Sequence, residues 1–189
     1  GDGRDDDRDG DDDGDHHSDG NGCVVVVPPH AGSVLFVDDF NSYGTPAQYA
    51  AVSLAPKWVT APTSGATEIV KQGYGNTAFG DGGYWLDTQG SPGGIDIKTT
   101  ITDANAGAAK ISVSLAVPFD GMYVSTPLQV IWNGVAHTIN IADFAGANNF
   151  QTFEWQVTSS VTNTLQIKDL GVGMVGLALD SVTVTDWIL

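Results

Sequence analysis

The segment Lys-Ile-Ser-Val-Ser-Leu-Ala-Val, residues 110–117, decides the fold class of this chain. Ile111, Val113, Leu115 and Val117 alternate with Ser or Ala. A period of two places one set of side chains on the core face of a β-strand and the other set on the opposite face. The segment therefore predicts a half-buried strand.

Similar short runs, separated by Gly, Pro, Asn and Asp, occupy most of the chain on both sides of this segment. Asn133-Gly134 is the clearest turn, because both central residues of a type I′ hairpin need a positive φ. The predicted strands are 34–40, 57–60, 68–72, 84–88, 95–101, 110–117, 128–133, 135–141, 153–159, 164–169 and 177–187.

The composition of this chain disfavours helices. Glu occurs only at Glu68 and Glu154, Arg is absent after Arg8, and only residues 46–55 fit a helical turn or two. Val, Ile, Thr and aromatic residues, which favour strands, are abundant. About ten closely spaced strands without helical crossovers predict an all-β protein, an antiparallel β-sandwich of jelly-roll type with an N-terminal extension.

The charge of the chain is negative and unevenly spread. The formal net charge is −16, and residues 1–22, with ten Asp and two Arg, carry half of it. Such a chain repels phosphate backbones and anionic lipids, which argues against nucleic acid or a membrane surface as partner. No apolar run reaches the ~18 residues that suggest a membrane span. The single cysteine, Cys23, excludes an intramolecular disulfide.

Composition divides the chain into three parts. Residues 1–22 are an Asp/Gly-rich acidic tail, residues 23–33 an isolated apolar strand followed by a Pro-Pro spacer, and residues 34–189 the sandwich domain. The chain starts at Gly1 rather than Met, which is typical of a processed product. We therefore expect a secreted protein, located outside the cell or on its surface.

The body also resembles a known family. Asp38-Asp39-Phe40, a Trp about twenty residues later, Tyr84-Trp85-Leu86-Asp87, the 130–134 hairpin and the closing run at 177–184 are similar to galactose-binding-like, jelly-roll β-sandwich modules of bacterial secreted and surface proteins. The resemblance covers roughly residues 34–189. It implies the fold more than any ligand, since such modules host many functions.

The acidic tail predicts a calcium site. The pattern D-x-D-x-D-G occurs twice in overlapping registers, and it resembles the calcium loops of thrombospondin type 3 repeats. Alternate carboxylates on a loop that turns at Gly can converge on one hard cation. The residues are Asp5, Asp7, Asp9, Asp11 and Asp13. No Glu closes either register, so the alternative is a solvated acidic tail.

A second calcium site follows from the resemblance. Asp38 and Asp39 at the end of the first strand, with Asp180 on the last, match the place where related sandwiches hold a structural calcium. The alternative is that each Asp accepts a hydrogen bond from a nearby backbone N–H, as at many strand ends.

Catalytic motifs are scarce. His30 and His137 lie in no recognisable nucleophile motif. Glu68 and Glu154 are the candidate pair for a glycosidase, which needs two carboxylates ~5 to 10 Å apart, but nothing in the sequence favours them. We therefore predict a protein that is not an enzyme.

Aromatic side chains are the candidate sugar platform, because a flat apolar ring stacks on the C–H face of a pyranose. The candidates are Trp58, Tyr74, Tyr84, Trp85 and Trp132. The alternative for each Trp is a place in the core.

Val24, Val25, Val26 and Val27 form an apolar run ahead of Pro28-Pro29. A strand that is apolar on both faces needs burial on both faces, and the stiff spacer favours a neighbouring copy over its own sheet. We therefore expect a calcium-stabilised structural subunit that forms a head-to-tail fibre by donating this strand, with other copies of itself as partners. The alternatives are an ordinary first strand and a monomeric carbohydrate-binding or adhesin module.

Overall fold

A computed structural model describes residues 27–44, 49–73, 82–90 and 93–189. This part of the chain forms twelve strands and three short 3-10 turns. The strands are β1 (His30–Asp38), β2 (Tyr49–Ala51), β3 (Val59–Thr60), β4 (Glu68–Lys71), β5 (Tyr84–Asp87), β6 (Asp96–Thr102), β7 (Gly107–Ala116), β8 (Leu128–Trp132), β9 (Val135–Ile139), β10 (Gln151–Ser159), β11 (Thr162–Asp169) and β12 (Ala178–Ile188). The 3-10 turns are Asn41–Tyr43, Phe119–Gly121 and Ile141–Asp143.

The strands build two sheets. The larger sheet has the order β10-β7-β12-β5-β4-β2, with β1 also paired to β12, and the smaller has the order β3-β6-β11-β8-β9. Every strand pair is antiparallel. The predicted fold class, an antiparallel β-sandwich of jelly-roll type, is confirmed.

The core lies between the inner faces of the two sheets. Ile111, Val113 and Leu115 of β7 are fully buried, so the alternation that predicted the strand faces the core as expected. They pack with Ile97, Leu165 and Val184 in one continuous apolar cluster. Full burial of an aliphatic side chain stabilises the fold by roughly 1.5–3 kcal/mol, so this cluster dominates the stability.

A second apolar cluster covers part of the outer face of the larger sheet. Val70, Trp85, Ala116 and Ala178 are buried there, and Phe119 and Phe150 pack against them. The connections that carry Phe119 and Phe150 therefore fold over the sheet instead of extending into solvent.

Two local predictions have different outcomes. The Asn133-Gly134 hairpin is confirmed: it joins β8 to β9, and the two residues have φ values of 48° and 86°. Residues 46–55, the one stretch that fits a helical turn by sequence, have a strand in their described part instead, because β2 pairs there with β4. A strand of three residues, such as β2, is too short to show a period of two. Its formation therefore depends on pairing with β4.

The first strand of the sandwich starts earlier than predicted. β1 begins at His30, directly after Pro29, and pairs in the same chain with β12, from His30↔Ile188 to Asp38↔Val182. Val27 lies outside any strand and is 58% exposed. Val24, Val25 and Val26 lie outside the described residues.

The sandwich has two ends, which we name from β12. The apical end is where β12 begins at Ala178, and the connections 117–127 and 170–177 meet there. The basal end is where β12 finishes at Ile188, opposite His30 at the start of β1. No helix in the described residues is long and apolar enough to cross a membrane.

Candidate binding site

All three tryptophans among the predicted sugar platforms belong to the buried apolar clusters. Trp58 is 2% exposed and Trp85 is fully buried, so neither ring can stack on a ligand. The prediction is wrong for both, because a sandwich of short strands needs large rings to fill its interior. Tyr84 is half-buried at the start of β5, and Tyr74 lies outside the described residues.

Trp58 has a polar partner instead of a sugar. Its indole Nε1 donates to Asp38 Oδ2 at 2.8 Å, and the Tyr43 hydroxyl donates to the same oxygen at 3.1 Å. Burial and the neighbouring Asp38 carboxylate raise the pKa of Tyr43 above its ordinary value. Asp38 Oδ1 accepts from the Phe40 amide and lies 3.5 Å from Lys57 Nζ.

The three carboxylates of the predicted calcium site in the body have separate roles. Asp38 accepts hydrogen bonds from Trp58 and Tyr43. Asp39 accepts one from the Asn41 backbone amide, and Asp180 accepts one from Gln72 Nε2. Within the described ranges no group of three His, Cys, Asp or Glu side chains is placed to hold a metal. The tail residues Asp5, Asp7, Asp9, Asp11 and Asp13 lie outside the described residues.

The carboxylates considered for glycoside hydrolysis are far apart. Glu68 is on β4 and Glu154 is on β10, four strand positions away in the same sheet. At ~4.8 Å between neighbouring strands, this places them roughly 19 Å apart, well beyond the distance for a two-carboxylate site. Glu154 pairs instead with Lys110 on the neighbouring strand, at 3.1 Å.

A buried carboxylate pair lies at the apical end. Asp87 accepts from the backbone amides of Gln89 and Gly176, and Asp169 accepts from the Thr88 hydroxyl, Gln89 Nε2 and the Gly171 amide. Burial, with smaller contributions from Glu68 and Asp169, raises the pKa of Asp87 to about 6. Burial also raises the pKa of Asp169. These donors come from two connections, the one that follows β5 and the one that follows β11, so the pair ties these two apical loops together.

The groove with the most suitable lining for a ligand lies on the open side of the sandwich, between the edge strands β9 and β10. Its volume is about 420 Å³. The lining residues are Trp132, Asn133, Val135, His137, Gln156, Val157, Thr158 and Ser160. We name it the β9–β10 groove.

Alternation along the two edge strands builds this groove. On β10, Phe153, Trp155 and Val157 are half-buried and point between the sheets, while the residues that alternate with them are exposed. On β9, Val135 and His137 have the inward register, and Val135 is 63% exposed. Because β9 and β10 are outermost in their sheets, none of the described strands covers these side chains.

A stacked pair of rings joins the two edge strands. The His137 imidazole lies 4.8 Å from the Trp155 ring with 23° between their planes, and Phe153 continues the row. The Nε2 atom of His137 is buried and has no hydrogen-bond partner among the described residues. Burial lowers the pKa of His137, so the ring is neutral near neutral pH.

Trp132 forms one wall of the groove, although only 2% of its surface is exposed. Its Nε1 donates to the Thr158 carbonyl at 2.8 Å, which ties β8 to the end of β10 across the gap. Among the predicted platform residues that the structure describes, Trp132 is the one that lines this groove. It contributes a fixed wall instead of an open ring face.

Two other clefts are less suitable for a ligand. One, of about 340 Å³, lies on the outer face of the smaller sheet, but the Asp96 carboxylate in it is already bonded by Gln166 and Lys168. The other, of about 410 Å³, lies at the basal end around Trp187 and the chain terminus. Neither joins aromatic, apolar and amide side chains from both sheets.

Most residues of the β9–β10 groove carry no recognisable signal in the sequence. His137 was noted only for its lack of a catalytic motif, and Gln156 and Val135 carried no signal. The usable signal was the alternation of Phe153, Trp155 and Val157, which predicts an aromatic strand face but not that the strand lies at an edge.

Comparisons with known proteins found similar folds only. No family model and no curated protein match the sequence. Among solved structures, a family 35 carbohydrate binding module from an environmental isolate is 18% identical with a TM-score of 0.45, covering 68% of this chain and 89% of that module. A family 35 module from Clostridium thermocellum is 16% identical with a TM-score of 0.44, covering 70% and 94%.

A third match is with a larger enzyme. It is an exo-beta-1,3-galactanase from Phanerochaete chrysosporium, 15% identical with a TM-score of 0.42. The match covers 82% of this chain and 29% of that enzyme.

Proposed function

We propose that the chain is a carbohydrate-binding module that holds a sugar in the β9–β10 groove. The observation that supports this proposal is the lining of the groove, where apolar side chains from both sheets lie beside exposed amide and hydroxyl groups. A pyranose has the matching surface, with a C–H face and a rim of hydroxyls.

The size and charge of the groove favour a neutral sugar. Its volume of about 420 Å³ lies within the ~300–1,000 Å³ typical of small-ligand sites. None of its lining side chains carries a charge, since the one titratable group, His137, is neutral near neutral pH.

The polar groups are placed to fix the orientation of such a ligand. Gln156, Thr158 and Ser160 are exposed at the mouth of the groove, and His137 Nε2 is the buried atom without a partner. A sugar hydroxyl that bonds to Nε2 would remove the unfavourable free energy of that isolated polar atom. Val135 and Val157 would face the C–H groups of the ring.

A glycan array followed by calorimetry tests this proposal. The intact chain is screened on the array, and each hit is titrated against the chain and against Gln156→Ala. Since Gln156 is exposed, the variant keeps the fold but loses a hydrogen bond, and we expect about tenfold weaker binding, as for ~1 kcal/mol.

Gln129→Ala is the matched control, since Gln129 is a half-exposed glutamine on β8 outside the groove. It should bind as the unmodified chain does. An array without hits, or equal affinities for Gln156→Ala and the control, would contradict the proposal.

A further inference from the structure

A group of large apolar side chains is exposed at the apical end, away from the β9–β10 groove. Val172 is 96% exposed, Met174 77% and Tyr123 72%. The full group, which we name the apical patch, is Met122, Tyr123, Leu170, Val172 and Met174. Contiguous apolar surface of this kind on a protein usually marks an interaction site.

The backbone holds the apical patch together. Val124 and Val175 form a parallel bridge, the Ser125 amide donates to the Val175 carbonyl at 3.0 Å, and the Leu170 amide donates to the Pro127 carbonyl at 2.9 Å. The two connections therefore run side by side, and their apolar side chains share one surface.

Tyr123 has an unusual backbone conformation within the apical patch. Its φ is 61°, a left-handed conformation that is uncommon for residues other than glycine. Such backbone conformations are unfavourable and persist where the surroundings require them. Here the outcome is a ring directed into solvent instead of into the core.

The chain contains one apolar segment near its start that could cover such a patch. Residues 1–22 have no apolar side chain, whereas Cys23 to Val27 are apolar without interruption. Four adjacent valines leave two apolar faces on an extended chain. Burying either of these faces requires contact with an apolar surface.

The valine run cannot reach the apical patch of its own molecule. His30 is at the basal end, opposite Ile188, and β12 extends for eleven residues, or about 33 Å, before the apical end is reached. From His30 back to Val24 is six residues, which span at most about 21 Å when fully extended. The run therefore falls short of the apical patch by more than 10 Å, about a third of the strand's length.

We infer that the valine run of one copy docks on the apical patch of the next. The two surfaces lie at opposite ends of the molecule, so the contact is head-to-tail and does not close on itself. A contact of this kind produces chains of copies instead of a closed dimer. The docking requires only burial of apolar surface, not insertion of a strand into a sheet.

Complementation between two variants tests the inference on the full chain. One variant is Val24→Asp with Val26→Asp, and the other is Val172→Asp with Met174→Asp. Sedimentation velocity is measured for each alone, for an equimolar mixture and for the unmodified chain over a hundredfold range of concentration.

We expect the unmodified chain to form a growing series of oligomers and each variant alone to remain monomeric. The mixture should form a dimer and nothing larger, because the intact valine run of one variant meets the intact apical patch of the other. Val59→Asp is the matched control, since Val59 is 71% exposed on β3 outside the apical patch, and it should assemble as the unmodified chain does.

Three results would overturn the inference. They are a monomeric unmodified chain throughout, a mixture that stays monomeric, and a valine-run variant that still dimerises, which would mean that apical patches pair with each other. Near-UV circular dichroism of the apical variant must match the unmodified chain. If it does not, the single variant Val172→Asp, at the most exposed position, replaces it.

Discussion

At the scale of single residues, burial decides what each acidic side chain does. Asp38 was a candidate calcium ligand, but it is fully buried and its oxygens accept hydrogen bonds from Trp58, Tyr43 and a backbone amide. A buried carboxylate needs such donors, since an unpaired one would lose the free energy of its hydration. Asp87 is also buried and has fewer donors; burial, with smaller contributions from the Glu68 and Asp169 carboxylates, raises its pKa.

Replacing Asp87 with Asn should stabilise the protein at neutral pH. The raised pKa means that the folded state binds this proton more tightly than the unfolded state does. The free energy of unfolding therefore increases as pH falls from about 6 toward the ordinary value of Asp. Asn can accept the same two amide hydrogen bonds without a charge.

We expect Asp87→Asn to raise the free energy of unfolding by on the order of 2 kcal/mol above pH ~6, with a gain that disappears as pH approaches ~4. Urea unfolding at several pH values measures it. Asp39→Asn, at an exposed position next to β1, is the control and should change little. A gain that does not vary with pH would show that the charge of Asp87 is not its cause.

At the scale of elements, hydrophobic alternation and turn chemistry were the reliable signals. Each of the eleven predicted strands has an observed counterpart within a few residues, because the period of two is a property of each segment by itself. β2 was missed, since its existence depends on β4 as a partner. The edge positions of β9 and β10, which create the groove, likewise depend on the order of strands in each sheet and not on either segment alone.

The hairpin between β8 and β9 offers a test of turn chemistry. Gly134 has a φ of 86° and open space where a Cβ would be, so an added methyl group would meet no neighbour. Gly134→Ala should therefore destabilise the fold through the backbone alone, by about 1–2 kcal/mol.

Chemical denaturation of Gly134→Ala beside Gly146→Ala measures this effect. Gly146 also has open space for a Cβ, but its φ is not positive, so its substitution should have little effect. Equal destabilisation of the two variants would argue against a backbone origin.

At the scale of the whole molecule, the acidic residues are concentrated in one part of the chain and the exposed apolar residues in another. Half of the net charge of −16 is in residues 1–22, directly before the valine run, whereas the apical patch is at the other end of the sandwich. The acidic tail would therefore lie at the contact between two copies, where it repels its neighbours unless cations are bound.

Calcium should bind to residues 1–22 and not to the sandwich. By calorimetry we expect millimolar-range binding to the full chain, as for extracellular calcium modules, and its loss when residues 1–22 are deleted. The sandwich should contribute none, because its described residues form no cluster of three acidic ligands. Sodium chloride of equal ionic strength is the control. An equal response to sodium chloride would show that ions only screen the charge of the tail and that calcium is not bound specifically.

The sequence by itself determined the class of fold, the hairpin at Asn133-Gly134 and the isolation of the acidic tail and the valine run. These features follow from local patterns of apolar residues, turn residues and charge, which need no knowledge of distant partners. Only the tertiary structure decided that Trp58 and Trp85 are core residues, that His137 meets Trp155 across two edge strands, and that the apical patch is beyond the reach of its own valine run. Each of these depends on which segments become neighbours in space, and burial and distance are properties of that arrangement.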